Sequence, residues 1–323
     1  MIISRTPFRI SFVGGGTDLE AFYGRRPGAV VSTAIDKFMY VTVNRYFDES
    51  ILLKYSRTEL VKRASDVRHP ILRECLKLVG LNKGVEITSM SDVIGGTGLG
   101  SSSSFTVGVL HALHAFKGEY RTAEDLAREA CEIEIKRLRE PIGKQDQYIA
   151  AYGGFQSLEF MPDGTVRADP IVLGEDARRR LAERLLLVYT GVTRRAGPVL
   201  RRFRAKFEVK DRQMVRLRDL AYEAREALRA GDVDPLGAML HEGWELKKSI
   251  SGGISSPAID RAYAAARRAG ASGGKILGAG GGGFLLLFVP PSKRAAARRA
   301  VSSWREIPFA LEPEGSKIVY VSR

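Results

Sequence analysis

Three glycine-rich segments constrain this chain more than any other feature: Pro7–Leu19 (PFRISFVGGGTDL), Gly95–Ser104 (GGTGLGSSSS) and Gly274–Phe284 (GKILGAGGGGF). Glycine takes positive φ without a Cβ clash and lets backbone N–H groups approach an anion closely. A loop of this kind running into a helix N-terminus is an anion cradle. A single such loop carries little information. Three in one chain, with the acidic Gly143–Gln147 (GKQDQ) between the second and the third, point to phosphoryl transfer.

The central loop is the most explicit. Gly96, Gly98 and Gly100 permit a tight bend, and Ser101–Ser104 lead straight into Phe105–Phe116, apolar nearly all round and expected as a buried helix. The serines therefore fall on the first helical turn, where free N–H groups and the positive dipole end favour a polyphosphate. A serine hydroxyl there suits Mg²⁺, which takes oxygen ligands. No Gly-Lys-Ser/Thr follows at the spacing of a Walker A loop.

Asp146 follows a predicted helix of about Thr122–Arg139, capped by Thr122 with Asp125 and ended by Pro141 and Gly143. A carboxylate here can orient a hydroxyl as it attacks phosphorus. On the preceding helix Glu134 belongs at the buried edge, whereas Glu132 lies about 200° away on the wheel and should face solvent. After the strand ending at Val13, Gly14–Asp18 turns sharply; Asp18 can accept from two sugar hydroxyls, and Arg9 upstream can offset charge. Gly278–Gly283 formally matches G-x-G-x-x-G, yet Phe284–Val289 after it reads as a strand, which excludes a dinucleotide-binding turn.

Strands are expected at Arg9–Val13, Met39–Tyr46, Ile51–Tyr55, Val85–Ser89, Phe155–Phe160, Val166–Pro170, Leu185–Thr190, Phe284–Val289 and Ile318–Ser322. Met161–Gly164 (MPDG) marks a hairpin. Helices dominate Ala196–Ser249, with more at Ala258–Ala269 and Arg294–Trp304. The texture changes near residue 180, dividing the chain into residues 1–180 and 181–323. The net charge of +14 is spread along helices among Glu, Asp and Leu, without a compact basic run interleaved with aromatics. Nucleic acid is therefore not expected as a partner, while some attraction for phosphorylated substrates is. No apolar run approaches membrane-spanning length, the N-terminus shows no secretory signal, and the two cysteines read as reduced core thiols. A cytoplasmic chain is the expectation; the oligomeric state is left open, with a homodimer among the assemblies allowed.

Taken together, the motifs resemble those of the GHMP kinase superfamily along the whole chain: Pro7–Asp18 the first motif, Gly96–Ser103 the phosphate loop, and Lys275–Phe284 the third. The resemblance implies an α+β fold of two lobes, an N-terminal lobe like ribosomal protein S5 domain 2 and a ferredoxin-like C-terminal lobe, with ATP between them. It implies ATP contacts from Gly96, Gly98, Leu99, Gly100, Ser101, Ser102 and Ser103, and Mg²⁺ held by Ser102 and Glu134. Asp146 would be the catalytic aspartate with Arg9 as its helper. Gly15, Gly16, Thr17, Asp18, Lys144, Gly280 and Gly281 would line the substrate site.

The chain departs from the family's pattern in two places. Ile94 stands where a proline usually precedes the phosphate loop, and Gly15-Gly16 replaces the Glu-His of galactokinases, which argues against galactose. Gly14–Asp18, Gly143–Tyr148 and Leu240–Gly283 are most similar to heptose 7-phosphate kinases, implying phosphorylation of an anomeric C1 hydroxyl to give a heptose 1,7-bisphosphate for nucleotide-activated heptose. A fucose-type sugar-1-kinase, a kinase of another heptose phosphate and a non-catalytic sugar-sensing homologue are the alternatives. A phosphorylated acceptor needs cations, for which Lys144, Arg194, Arg195, Lys247 and Lys248 are candidates.

Overall fold

The computed structural model describes residues 1–194 and 196–322. Its strands are β1 (Ile2–Val13), β2 (Gly28–Arg45), β3 (Ile51–Lys54), β4 (Thr58–Val61), β5 (Val85–Ser91), β6 (Phe155–Phe160), β7 (Val166–Pro170), β8 (Leu185–Tyr189), β9 (Gly273–Ile276), β10 (Phe284–Phe288), β11 (Arg305–Glu306) and β12 (Lys317–Val321). The helices are α1 (Glu20–Tyr23), α2 (Pro70–Val79), α3 (Ser101–Phe116), α4 (Ala123–Cys131), α5 (Gln145–Tyr152), α6 (Glu175–Arg184), α7 (Ala196–Arg204), α8 (Asp211–Arg229), α9 (Leu236–Ile250), α10 (Pro257–Arg268) and α11 (Arg294–Ala300).

The first sheet runs β12-β1-β2-β5-β3-β4, and β6 with β7 branches from β2. β2 is much longer than the Met39–Tyr46 expected, because its two halves have different partners. Residues 28–33 pair with β6 and 39–45 with β5. Its register against β1 shifts between Pro7 and Phe8, where proline has no N–H to give the ladder. Beyond the shift, the Arg9 N–H turns to the Leu99 carbonyl at 3.0 Å, which stitches β1 to the phosphate loop. Ser104 Oγ, on the first turn of α3, donates to the carbonyl of Pro7 at 2.8 Å. Every residue of α3 from Ser103 to Leu110 is buried.

The second sheet runs β11-β8-β10-β9, all pairs antiparallel. Numbered within the lobe, that order is 4-1-3-2 with α11 before the last strand, the ferredoxin-like arrangement. The sheets are not separated cleanly at residue 180: β12 returns across the molecule and pairs antiparallel with β1, Ile2 opposite Val321. A division near residue 180 holds only if residues 317–321 go with the first lobe. The glycine-rich turn of residues 277–283 joins two antiparallel strands, as the rejection of a dinucleotide fold requires.

Local signals hold elsewhere. Thr122 caps α4 and Asp125 completes the reciprocal box. The helix does not stay α-helical to Arg139: Glu132–Arg137 forms a π-helical turn, closed by Arg139 at φ 55°. Cys75 and Cys131 are buried free thiols. No helix among the described residues is long and apolar enough to cross a membrane.

Candidate active site

The three glycine-rich segments, distant in sequence, touch through their backbones. A Cβ on Gly98, at φ +87°, would stand 2.4 Å from the Leu277 carbonyl, and one on Gly283 only 2.1 Å from that of Thr97. Only glycine permits this approach. Backbone bonds close the seam: Phe284 N donates to Thr97 O at 3.2 Å and Arg194 N to Gly96 O at 3.1 Å. From the C-terminal lobe, buried Lys275 donates to the Phe12 carbonyl at 2.9 Å. The phosphate loop is thereby fixed between both lobes, with Ser101 opening α3.

Asp146 lies within the first turn of α5, a helix not expected from the sequence. Arg9 grips it bidentately: Nε donates to Oδ1 and Nη2 to Oδ2, each at 2.8 Å, while Nη1 donates to the Gly98 carbonyl at 2.6 Å. Arg9 is buried and Asp146 partly open, at 24% side-chain exposure. The acid is therefore partly open to solvent, with the Arg9 guanidinium against its back.

Glu134, at 1% exposure, stands on the π turn. The extra residue of a π turn re-aims a side chain, and such turns recur at functional sites. Its carboxylate accepts from Ser102 Oγ at 2.8 Å, Ser103 Oγ at 2.8 Å and Gln147 Nε2 at 2.7 Å. Burial pushes its pKa up, opposed by these three donors. Among the described residues it has no cationic partner. Hard oxygens from Ser102 and Glu134 beside a phosphate loop suit Mg²⁺. No group of three or more His, Cys, Asp or Glu side chains among the described residues is placed to hold a metal. A cation here would draw its other ligands from phosphate and water.

The structure places the remaining expected residues unevenly. Asp18 is 3% exposed. Its Oδ1 takes the Gly16 N–H at 2.8 Å, and Oδ2 takes Gln145 Nε2 at 3.1 Å and Gln145 N at 3.4 Å. Desolvation raises its pKa. It ties the Gly14–Asp18 turn to α5, and fewer lone pairs remain for sugar hydroxyls than the sequence suggested. Thr17 Oγ1 is spent on Gly14 O, Ala29 O and Ala29 N, so Thr17 anchors the turn instead of facing a ligand. Gly15 and Gly16 are buried, Gly15 beside Ser11, Gln145 and Lys247, and Gly16 under the Phe203 ring.

Lys144 is not brought into this cluster. Its ammonium donates to the Gly164 carbonyl in the β6–β7 turn and lies 4.7 Å from the centroid of the Tyr23 ring. Gly280 packs on Ile254, and the Gly281 amide is already bonded to the Ile254 carbonyl. Lys248 pairs with Glu245 at 2.9 Å. Arg195 lies outside the described residues. Arg194 and Lys247 do face the seam: the Arg194 Nε and Nη1 atoms are buried without a partner among the described residues, and Lys247 Nζ donates to the Gly278 carbonyl at 3.0 Å. Gln145, Gln147 and the Lys275 ammonium join the site with no signal in the sequence beyond their place inside motifs.

An anion cradle, a carboxylate braced by an arginine fork and a hard-oxygen pair are the parts that phosphoryl transfer uses. The GHMP kinases N terminal domain matches residues 59–154, and the GHMP kinases C terminal domain matches residues 224–306. The D-glycero-alpha-D-manno-heptose 7-phosphate kinase of Campylobacter jejuni is 31% identical over 288 residues, 84% of each chain. The bifunctional fucokinase/GDP-fucose pyrophosphorylase of Arabidopsis thaliana is 26% identical over 80% of this chain and 27% of that longer one. A crystal structure of a D-glycero-D-manno-heptose 1-phosphate kinase from Bacteroides thetaiotaomicron superposes with TM-score 0.83 at 24% identity, covering 100% of both chains. The chain belongs to the GHMP kinase family, and it is an ATP-dependent kinase.

Proposed function

We propose that the acceptor is a sugar, and specifically a heptose 7-phosphate phosphorylated on its anomeric C1 hydroxyl to give a heptose 1,7-bisphosphate for nucleotide-activated heptose. The observation that carries the reading is the Arg9–Asp146 fork tethered to the phosphate loop through Gly98. The likeness to the Campylobacter jejuni enzyme supports the choice of sugar.

In this reading Gly96, Gly98, Leu99, Gly100, Ser101, Ser102 and Ser103 bind the phosphates of ATP, the free N–H groups of the first α3 turn among them. Ser102 and Glu134 hold Mg²⁺, which when bound neutralises charge on the phosphate oxygens. Asp146 orients the C1 hydroxyl for in-line attack and accepts its proton, and Arg9 holds the carboxylate in place through its two hydrogen bonds. The Gly15–Gly16 edge admits the sugar. The buried, unpartnered face of Arg194 is suited to the acceptor's own phosphate.

The test is ADP release from a panel of sugars and sugar phosphates, with ³¹P NMR of the product. A heptose 7-phosphate should give the highest kcat/KM and an anomeric phosphate signal. Faster turnover of unphosphorylated fucose, or phosphate appearing elsewhere on the ring, would replace this reading with another sugar kinase.

A further inference from the structure

We propose that the Lys247 ammonium and the Ser11 hydroxyl, facing each other across Gly15, grip oxygen atoms of the acceptor next to its reacting hydroxyl and thereby govern acceptor capture. The inference rests on the sugar-kinase reading above and concerns which side chains hold the sugar.

Lys247 lies near the end of α9 and is 7% exposed. Its neighbour Lys248 behaves as an ordinary surface lysine, paired with Glu245. Lys247 has no such carboxylate among the described residues. It donates once, to the Gly278 carbonyl. An ammonium carries three donors, so two remain in a buried place. Gly15 is what leaves room for them: a Cβ at Gly15 would stand 3.4 Å from Ser11 Oγ, 3.6 Å from Gln145 Nε2 and 4.0 Å from Lys247 Nζ.

A second, independent sign comes from Ser11. It is 3% exposed and its Oγ has no hydrogen-bond partner among the described residues. A buried hydroxyl left without a partner is costly, and so are the two unused donors of the ammonium beside it. A polyhydroxylated ligand seated over Gly15 satisfies both at once. Gln145, already committed to Asp18 and to Ser32, closes the wall toward Asp146.

The charged groups around Lys247 come from every neighbouring element. Asp18 follows β1, Asp146 is on α5, Arg9 is on β1 and Arg194 follows β8; Lys275 of β9 is coupled to it as well. The Phe203 ring of α7 lies 5.8 Å away. Burial is the largest influence and pushes the Lys247 pKa down to about 8. The group is charged below that pH and neutral above it, so acceptor capture should weaken as the pH rises through about 8.

The experiment compares wild type, Lys247→Met, Lys247→Arg and Ser11→Ala from about pH 6.5 to 9.5, with ATP saturating. In wild type, sugar kcat/KM should fall on an alkaline limb inflecting near 8 while the KM for ATP stays flat. Lys247→Met should lose about tenfold or more at neutral pH, a loss of about 1.4 kcal/mol or more, and should lack that limb. Lys247→Arg should recover part of the loss and keep it at high pH, because a guanidinium does not titrate there. Lys247→Met within about twofold of wild type, or with the limb intact, overturns the proposal; so does an equal rise in the KM for ATP.

If the Lys247 variants fail to show an ATP-dependent thermal shift, Ser11→Ala decides. A sugar KM raised about threefold or more supports the proposal, and an unchanged one overturns it. The test uses whichever sugar wild type turns over best. A preference for an unphosphorylated sugar would therefore defeat the heptose phosphate reading without touching the outcome for Lys247.

Discussion

Arg9 and Asp146, 137 positions apart in the chain, meet as a planar fork with two 2.8 Å hydrogen bonds. The third arm of the guanidinium reaches the Gly98 carbonyl at 2.6 Å. One side chain therefore sets the acid and the phosphate loop at a fixed separation, so positioning and charge are controlled together. Asp146→Asn keeps the shape but cannot take a proton. It should retain ATP affinity within about threefold and lose roughly 10²- to 10⁴-fold in kcat. Arg9→Lys keeps the charge but loses the fork, and should in addition raise the KM for ATP because the tether to Gly98 goes with it. Steady-state kinetics together with ATP binding separate the two patterns.

Much of this site was legible because its determinants are local. Positive φ at Gly96, Gly98 and Gly100 is a demand that only glycine meets cheaply, so the loop announces itself. The Thr122–Asp125 box and the β6–β7 hairpin are equally short-range. What stayed hidden depends on distant partners. Lys275 looks like a solvated lysine until the Phe12 carbonyl, 263 residues away, accepts from it. The pairing of β12 with β1 spans nearly the whole chain, and nothing in either strand specifies it. The π turn at Glu132–Arg137 differs from an α-helix by one inserted residue, which periodicity over so short a stretch does not resolve.

Glu134 is a buried carboxylate with three neutral donors and no cation among the described residues. Burial raises its pKa in the folded chain above the ordinary value of a glutamate, so the folded chain holds the proton more tightly than the unfolded one. The ligand-free protein should lose stability as pH climbs above about 4.5 toward the raised value, the reverse of a salt-bridged acid. Glu134→Gln removes that penalty. Its melting temperature without ligand at neutral pH should match or exceed wild type, while the increase given by Mg²⁺ with ATP should largely vanish. A scan with and without Mg²⁺–ATP checks both; an undiminished ligand shift would remove Glu134 from the metal site.

Gly98 has the Leu277 carbonyl against the place a side chain would take. Gly98→Ala faces a left-handed backbone cost of about 1 kcal/mol and an overlap that typically costs about 1–3 kcal/mol more. Because the overlap is with the third glycine-rich segment, the seam must open. The expected result is a KM for ATP raised by about tenfold or more, with a loss of about 2–4 kcal/mol in denaturant unfolding. Gly118→Ala is the control: its φ is also positive, but nothing lies within 4 Å of a Cβ there. It should cost about 1 kcal/mol and leave the KM for ATP alone.

Asp146 stands on α5 and Glu134 on the π turn that continues α4, and Glu124 of α4 registers α4 against α5. Tyr148 and Tyr152, one turn apart on α5, donate to its two oxygens at 3.0 and 2.8 Å, with their rings stacked 6.0 Å apart. Glu124 itself sits in the first turn of α4, where the helix dipole favours a carboxylate. Hydrogen bonds to a charged group contribute about 1.5–3 kcal/mol each, so Glu124→Ala should cost roughly 3 kcal/mol once shared context is allowed for. Tyr148→Phe and Tyr152→Phe should each cost about 1.5–3 kcal/mol. Because one carboxylate serves both hydroxyls, the double variant should deviate from the sum by about 0.5 kcal/mol or more. If α5 is thereby allowed to shift against α4, kcat should drop in Glu124→Ala while ATP affinity holds. Turnover unchanged at full loss of the coupling energy would show that α5 keeps its register without the clamp.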